Sequence, residues 1–363
     1  MKFRCERDVL AEAFGTAARA VASRSALPVL SGVRMSLSGT QLKLTGSDLD
    51  LTIDVTIEVP AGEDGTVVLP ARLVSDILKA LQPGAVQISV EGEQAHISAG
   101  RSAFAVRTLM AEDFPRLPDP AAGGVTIAVG ALADALKQVI PAASHDDARP
   151  ILTGVLMAAE AGGLRLVATD SYRLAVRDLP GQTVLAEGQT VLVPSRALGE
   201  LARLLSSQGE ANLHLGQREA AFEVGQVRLT TRLIEGQYPP YRNLIPASLP
   251  NTLTVNRLAF LEALRRVKLL AKDSTPVRLK MSGESLELVA ITQDVGQASE
   301  DIEATFQGSD VQVAFNPEFL MAGLELASGD TVTLQTTDPL KPALLRSPDR
   351  PDYLYLLMPV RVS

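Results

Sequence analysis

Three stretches of this chain repeat one pattern at a fixed interval, and the interval limits what the chain can fold into. The fullest copy is residues 164–176, LRLVATDSYRLAV; weaker copies are 42–53, LKLTGSDLDLTI, and 286–295, LELVAITQDV. Their first leucines, Leu42, Leu164 and Leu286, stand 122 residues apart each time. Solenoid repeats run about 20–50 residues, so a period this long points to tandem domains. The 363 residues divide into three copies of 121, and domains with their own core run about 100–150 residues. Within the fullest copy Leu164, Leu166 and Ala168 alternate as in a strand. The polar run Thr169-Asp170-Ser171-Tyr172-Arg173 follows, then apolar Leu174 and Val176.

Each copy reads as two halves of strand, helix and strands. In the first halves one apolar template recurs at i, i+3, i+4, i+7 and i+11: Leu10, Ala13, Phe14, Ala17 and Val21; Leu132, Ala135, Leu136, Val139 and Ala143; Phe260, Ala263, Leu264, Val267 and Ala271. That is the stripe of an amphipathic helix. The second halves are 67–81 (VVLPARLVSDILKAL), 191–205 (VLVPSRALGELARLL) and 313–327 (VAFNPEFLMAGLELA). Each is a short strand, a proline or Asn-Pro at the helix start, where the missing N–H costs nothing, and one helix. Alternating runs at 86–90 and 95–98, 211–215 and 220–224, 331–336 and 343–346 predict half-buried antiparallel strands. Proline-rich 113–124 and 237–250 are expected to connect the copies. The prediction is an α+β chain of three tandem domains of one topology, each with two helices on antiparallel sheet.

Chemistry-bearing motifs are scarce. No G-x-G-x-x-G, G-x-x-x-x-G-K, G-x-S-x-G or H-E-x-x-H occurs. His96, His145 and His214 are dispersed and near no cysteine pair, so no metal and no cofactor is expected. Asp48 and Asp50 lack the further acids of a calcium loop, and His145-Asp146-Asp147 reads as a solvated loop. Cys5 is the one cysteine, which excludes an internal disulfide and fits a reducing cytoplasm. No apolar stretch reaches 18 residues, so no signal peptide, membrane span or membrane partner is expected. A net charge of −8, 4% aromatics and no Trp argue against a surface that grips nucleic acid everywhere or stacks single-stranded bases. Local basic faces remain. Arg72, Asp76 and Lys79, and one copy later Arg196, Glu200 and Arg203, share one helix face, either as solvated ion pairs or as a rail for phosphates. The third copy has Glu318 and Glu325 there, with Arg257, Arg265, Arg266 and Lys268 on its other helix as partial compensation. The end of the chain, 353–363 (YLYLLMPVRVS), is apolar where chain ends are commonly polar; it reads as a last strand, a groove lining, or both.

Several segments resemble the bacterial DNA polymerase III β subunit family of sliding clamps: MKF at the start, L-P-V-L at 27–30, T-G-S-D-L at 45–49, A-T-D-S-Y-R-L-A-V at 168–176, V-P-S-R at 193–196, Y-P-x-Y-R at 238–242 and M-P-V-R at 358–361. The resemblance runs the length of the chain and implies the clamp fold, with domains at 1–122, 123–247 and 248–363. Two chains would close head to tail into a dimeric ring. Carried over by position, that homodimer contact uses Ile77, Leu81, Arg101, Phe104 and Val106 of the first domain and Leu269, Leu270, Glu300 and Glu303 of the third. Basic Arg101 opposite Glu300 and Glu303 would fix the orientation. The resemblance also implies a peptide-binding groove of Leu152, Thr169, Ser171, Tyr172, Arg173, Leu174, Pro239, Asn243, Leu244, Leu356, Met358, Pro359, Val360 and Arg361. Polymerase, clamp loader and repair proteins would insert short linear motifs there. Ser171-Tyr172 stands where some members have Gly-His, Asn243 where an Arg can occur, and Ser363 adds one residue to the usual end, so an altered motif preference is expected. Arg24, Arg72, Lys79, Arg149, Arg196 and Arg203 would face double-stranded DNA without reading its sequence. The implied function is a non-catalytic, cytoplasmic processivity factor with no catalytic residues. Two other readings stay open on the residues alone: an enzyme with its site at Asp170, Tyr172 and Arg173, and a non-DNA peptide-binding scaffold of three repeated domains.

Overall fold

The computed structural model describes residues 1–22, 27–115, 124–160, 162–205, 209–271 and 275–362. The first copy begins β1 (Lys2–Glu6), α1 (Arg7–Ala18), β2 (Gly32–Ser38), β3 (Gln41–Ser47) and β4 (Leu51–Glu58). It repeats that order as β5 (Gly65–Pro70), α2 (Ala71–Ala80), β6 (Ala85–Glu91), β7 (Gln94–Ala99) and β8 (Ser102–Arg107). The second copy follows with β9 (Val125–Ala128), α3 (Val129–Val139), β10 (Gly154–Glu160), β11 (Gly163–Thr169) and β12 (Arg173–Pro180). Its second half is β13 (Thr190–Pro194), α4 (Ser195–Leu204), β14 (Glu210–Leu215), β15 (Glu219–Val224) and β16 (Val227–Arg232). The third comprises β17 (Asn251–Asn256), α5 (Arg257–Val267), β18 (Val277–Ser282), β19 (Ser285–Thr292) and β20 (Gly296–Gln307). It closes with β21 (Val311–Phe315), α6 (Pro317–Leu326), β22 (Thr331–Thr336), β23 (Ala343–Arg346) and β24 (Tyr353–Leu357).

The repeat marks equivalent places. Leu42, Leu164 and Leu286 are each the second residue of their strand, β3, β11 and β19, and all three are buried. The first four residues of each helical template are buried as well. The fifth is not helical. Val21 lies past the end of α1, and short 3-10 turns, Ile140–Ala142 and Lys268–Leu270, replace the last turn of α3 and α5. Pro141 accounts for the break after α3, because its ring clashes with the preceding turn and it has no N–H to donate. In α6 the Asn316 carboxamide accepts from the N–H groups of Glu318 and Phe319 and caps the helix that Pro317 opens.

The strands form three sheets. One has four strands in the order β1-β6-β7-β8, one has eight as β5-β2-β3-β4-β16-β15-β14-β9, and one has twelve as β13-β10-β11-β12-β24-β23-β22-β17-β20-β19-β18-β21. The larger two cross the copy boundaries, through β4 against β16 (Ile53↔Leu229) and β12 against β24 (Leu174↔Leu356). An antiparallel half with an open edge leaves a row of N–H and C=O groups unpaired, and the neighbouring copy satisfies them. The three copies of one topology are therefore joined through their sheets into two compact bodies. One body is Met1–Val129 with Arg203–Leu233, the other Gly130–Ala202 with Ile234–Ser363, and the middle copy is shared between them.

The two expected connectors differ. Most of 113–124 lies outside the described residues. The stretch 237–250 is no loose linker: Tyr238, Tyr241, Ile245 and Leu249 pack on a core of Val167, Leu174, Val176, Leu344 and Leu356. Its prolines prevent strand pairing while its spaced aromatic and aliphatic side chains still seek burial.

Candidate functional site

The loop between β11 and β12 is a tight turn built by side chains. Asp170 Oδ1 accepts from the N–H groups of Tyr172 (2.9 Å) and Arg173 (3.0 Å). Thr169 Oγ1 donates to the Arg173 carbonyl (2.6 Å) and accepts from Ser171 N–H (3.1 Å). Ser171 sits at φ +82° as a result. The first copy makes the same turn: Asp48 Oδ1 accepts from Asp50 and Leu51, and Leu49 has φ +83°. In the third copy Asp294 has φ +62°.

What the middle copy adds is Tyr172 and Arg173. Arg173 Nε donates to Asp170 Oδ2 at 2.9 Å, and its guanidinium lies 4.4 Å from the centre of the Phe319 ring on α6. Tyr172 stacks on the same ring at 6.4 Å and 28° while remaining 60% exposed. Burial opposes the charge on Arg173, but Tyr355 and Asp170 beside it prevail and hold it above the usual guanidinium value. Tyr355 donates to the Phe319 carbonyl at 3.0 Å, and burial pushes its hydroxyl up to about 12. Both carboxylate oxygens of Asp170 are thus engaged in the turn or with Arg173. The carboxylate shapes a loop, and among the described residues no group of His, Cys, Asp and Glu could hold a metal.

Beside the turn lies an apolar floor. Leu174 and Leu356 are paired across β12 and β24 and buried with Val167, Val176, Tyr241 and Leu344. Met358 packs on this cluster, and its N–H donates to the Tyr172 carbonyl at 2.8 Å, so the chain end continues the sheet past β24. Val360 N–H donates to the Ala314 carbonyl at 2.8 Å. The end of the chain thus pairs beyond its last strand and packs Met358 on the apolar floor. Pro239 and Leu244 flank buried Tyr241, whose N–H reaches the Pro239 carbonyl at 2.7 Å. Leu152 is buried in the 3-10 turn Pro150–Thr153. Pro359 is half-buried, and Asn243 and Arg361 are exposed. Sequence reasoning missed Phe319, Tyr355 and Tyr241. The Asn-Pro cap fixes where α6 starts, so Phe319 was within reach as a first-turn residue; the other two depend on pairing between distant strands.

Arg72 and Lys79 on α2 are exposed, as are Arg196 and Arg203 on α4. Arg149 donates to Asp146 Oδ2 (2.9 Å) and Ser171 Oγ (3.2 Å), tying its loop to the turn. Arg24 lies outside the described residues. The third copy corrects the expected compensation. Its cations are taken up within the copy: Arg265 by Glu325 (2.7 Å), Lys268 by Glu318 (2.5 Å), Arg266 by Glu300, and Arg257 by the carbonyls of Gly329 and Leu324. The acids that stand where Arg72 and Lys79 do are the partners of that helix.

The residues expected at a subunit contact also divide. Ile77, Leu81 and Val106 are buried within their own body, whereas Phe104, Arg101 and Leu269 are exposed, Leu269 at 78%. The expected flat patch is narrower than the sequence implies, because the inward face of α2 and β8 is needed for the core. Leu270 is half-buried, and Glu303 is exposed on β20. Glu300 is already held by three bonds from Arg266 (3.2, 3.0 and 2.5 Å), which keep its carboxyl below the usual range. β8 is the edge of its sheet.

A thrice-repeated α+β unit, with one elaborated turn beside an apolar floor, defines a clamp-type protein. Family models agree: the N-terminal, central and C-terminal domains of the DNA polymerase III beta subunit match residues 1–118, 126–240 and 242–361. The chain belongs to that family, and its function is that of a sliding clamp. The beta sliding clamp of Streptomyces coelicolor is 38% identical over the whole of both chains, and that of Synechocystis sp. 32%. The crystal structure of the Bacillus subtilis clamp superposes with a TM-score of 0.93 at 30% identity. That of the Bartonella birtlesii clamp bound to griselimycin does so with 0.95 at 30%; in both cases the whole of each chain is covered.

Proposed function

We propose that two copies of this chain close into a ring around duplex DNA and tether polymerase, clamp loader and repair proteins by short linear motifs seated beside the 169–173 turn. The observation that supports this most is that one turn of three is elaborated, and it adjoins a floor on which the C-terminal segment and 237–250 converge. A groove needs apolar burial for affinity and a few fixed polar groups for direction. Leu174, Leu356, Met358, Pro239 and Leu244 supply the first. Thr169, Arg173 and the backbone of Ser171 supply the second, and Leu152, Asn243, Pro359, Val360 and Arg361 complete the rim. Ser171-Tyr172 then shifts the preferred motif through the Tyr172–Phe319 stack.

Boundaries at 122/123 and 247/248 divide the three domains. Phe104 and Arg101 of one protomer meet Leu269 and Glu303 of its partner. Arg72, Lys79, Arg196 and Arg203, with Arg24 and Arg149, make weak phosphate contacts that permit sliding. The chain does no chemistry of its own and works in the cytoplasm; among the described residues no helix is long and apolar enough to cross a membrane.

The test is retention after loading by the matching ATP-driven loader, on a closed circle and on the same circle cut once, at raised salt. Protein that stays on the circle and runs off the cut form supports encirclement; equal loss from both removes it. Griselimycin, bound by the clamps of Pseudomonas aeruginosa and Bartonella birtlesii, tests the groove: it should bind here and lose affinity in Leu244→Asp or Met358→Asp.

A further inference from the structure

The groove wall that carries Pro239, Asn243 and Leu244 has no strand to hold it. Its described backbone hydrogen bonds in this part are internal: Tyr241 N–H to Pro239 (2.7 Å), Asn243 N–H to Pro240 (3.1 Å) and Ile245 N–H to Arg242 (3.2 Å). Buried Tyr241 fixes the depth of the wall. Apolar burial is non-directional; the Thr337 hydroxyl donates to the Ser248 carbonyl at 3.0 Å, but at the far end of the segment from Pro239–Leu244.

Direction comes from a chain of charges at the rim. Arg242 Nη2 pairs with Glu160 Oε1, at the end of β10. Glu160 Oε2 accepts from Arg165 Nη1 at 2.7 Å, and Arg165 clasps Asp178 with bonds of 2.6 and 2.9 Å. The Arg242 guanidinium also lies 5.8 Å from the centre of the Tyr241 ring. Glu160 therefore stands between a cation fixed to the sheet and the cation of the wall. The joint is at the solvent edge, with Glu160 23% and Arg242 63% exposed.

We propose that Glu160 is a positioning residue of the groove: through Arg242 it holds the 237–250 wall against β10–β12 and so preorganises the pocket before a ligand arrives. The inference rests on the groove reading above. Without the pair, Tyr241 stays buried and the fold persists, but Pro239 and Leu244 gain lateral freedom that a ligand must remove on binding.

The full-length protein is titrated with griselimycin at low and raised salt as wild type, Glu160→Gln, Arg242→Gln, Arg242→Lys and the Glu160→Gln/Arg242→Gln pair. Each neutralising change should weaken binding about two- to fivefold, the range of a rim ion pair, chiefly through faster release. The double variant should lose no more than either single one, and Arg242→Lys should keep most of the affinity. Raised salt should bring the wild type toward the variants and leave the variants flat. A purely structural role would give neither that salt dependence nor the non-additivity. Wild-type affinity in both single variants overturns the proposal. So do additive losses, or a loss in Arg242→Lys accompanied by a collapsed thermal transition. If the wild type does not bind griselimycin at all, the groove reading itself fails, which is a different result from unchanged binding by Glu160→Gln.

Discussion

Gly46, in the T-G-S-D-L stretch, lacks a side chain because α1 runs directly over β3 there. A Cβ at this position would overlap the carbonyl oxygen of Ala17 and stand 2.8 Å from its carbon. The obstacle is backbone, which cannot rotate away. Gly46→Ala should therefore cost about 1–3 kcal/mol, as overpacked cores do, with the urea midpoint falling and the slope unchanged. Ser171 and Leu49 present the opposite case. Both are held at positive φ by the aspartate before them, a conformation that costs a side-chain-bearing residue about 1 kcal/mol relative to glycine. Ser171→Gly should raise stability by up to about that amount, less the added chain entropy and the loss of the hydroxyl that accepts from Arg149. Leu49→Gly should instead lower it, because Leu49 also packs on the cluster of Val29, Leu30, Val68 and Phe114 and that apolar contact outweighs the relieved strain. Urea unfolding of the three variants checks sign and order.

At the scale of elements, α5 and α6 are joined by ion pairs. Lys268 and Arg265 are neutralised by Glu318 and Glu325 of the facing helix. Glu318→Gln with Glu325→Gln should change protomer stability by under about 1 kcal/mol, since exposed pairs contribute little. It should tighten sequence-neutral duplex binding and steepen the slope of log K against log salt by about 1–2, one unit per cation released to a phosphate. An unchanged slope would mean that this face does not meet DNA. The sequence displayed these acids and bases but not their pairing. Local periodicity did reveal the elements: the buried template of Leu10, Ala13, Phe14 and Ala17 recurs as helix in every copy. It overran each helix by one position, because template matching ignores Pro141 and the 3-10 turns. The joins of β4 with β16 and β12 with β24 were hidden, since strands far apart in sequence carry no local record of their register. The candidate groove was legible in its turn, whose polar run interrupts a strand pattern. It was illegible in Phe319, Tyr355 and the Glu160–Arg242 tie, which depend on those joins.

For the whole molecule, the question is why an acidic chain of net charge −8 should stay on DNA. The proposed ring would need no tight grip, because leaving requires a subunit contact to open, and a few exposed cations would then suffice for sliding. The burden then falls on the contact, where Leu269 is informative. It projects from the 3-10 turn after α5 at 78% exposure, so water gains nothing from a leucine and the protomer core does not use it. Leu269→Asp should therefore leave protomer unfolding unchanged. Burying the unpaired carboxylate should weaken the dimer by about 3 kcal/mol or more, over about a hundredfold in dissociation constant. Ile77→Asp should instead unfold the first body, because Ile77 is buried within it. Sedimentation velocity alongside thermal unfolding separates the two outcomes. A Leu269→Asp protein that is folded, monomeric and no longer retained on a closed circle would tie retention to closure of the ring. A folded dimer would move the contact elsewhere, leaving Phe104 and the edge of β8 to find another partner.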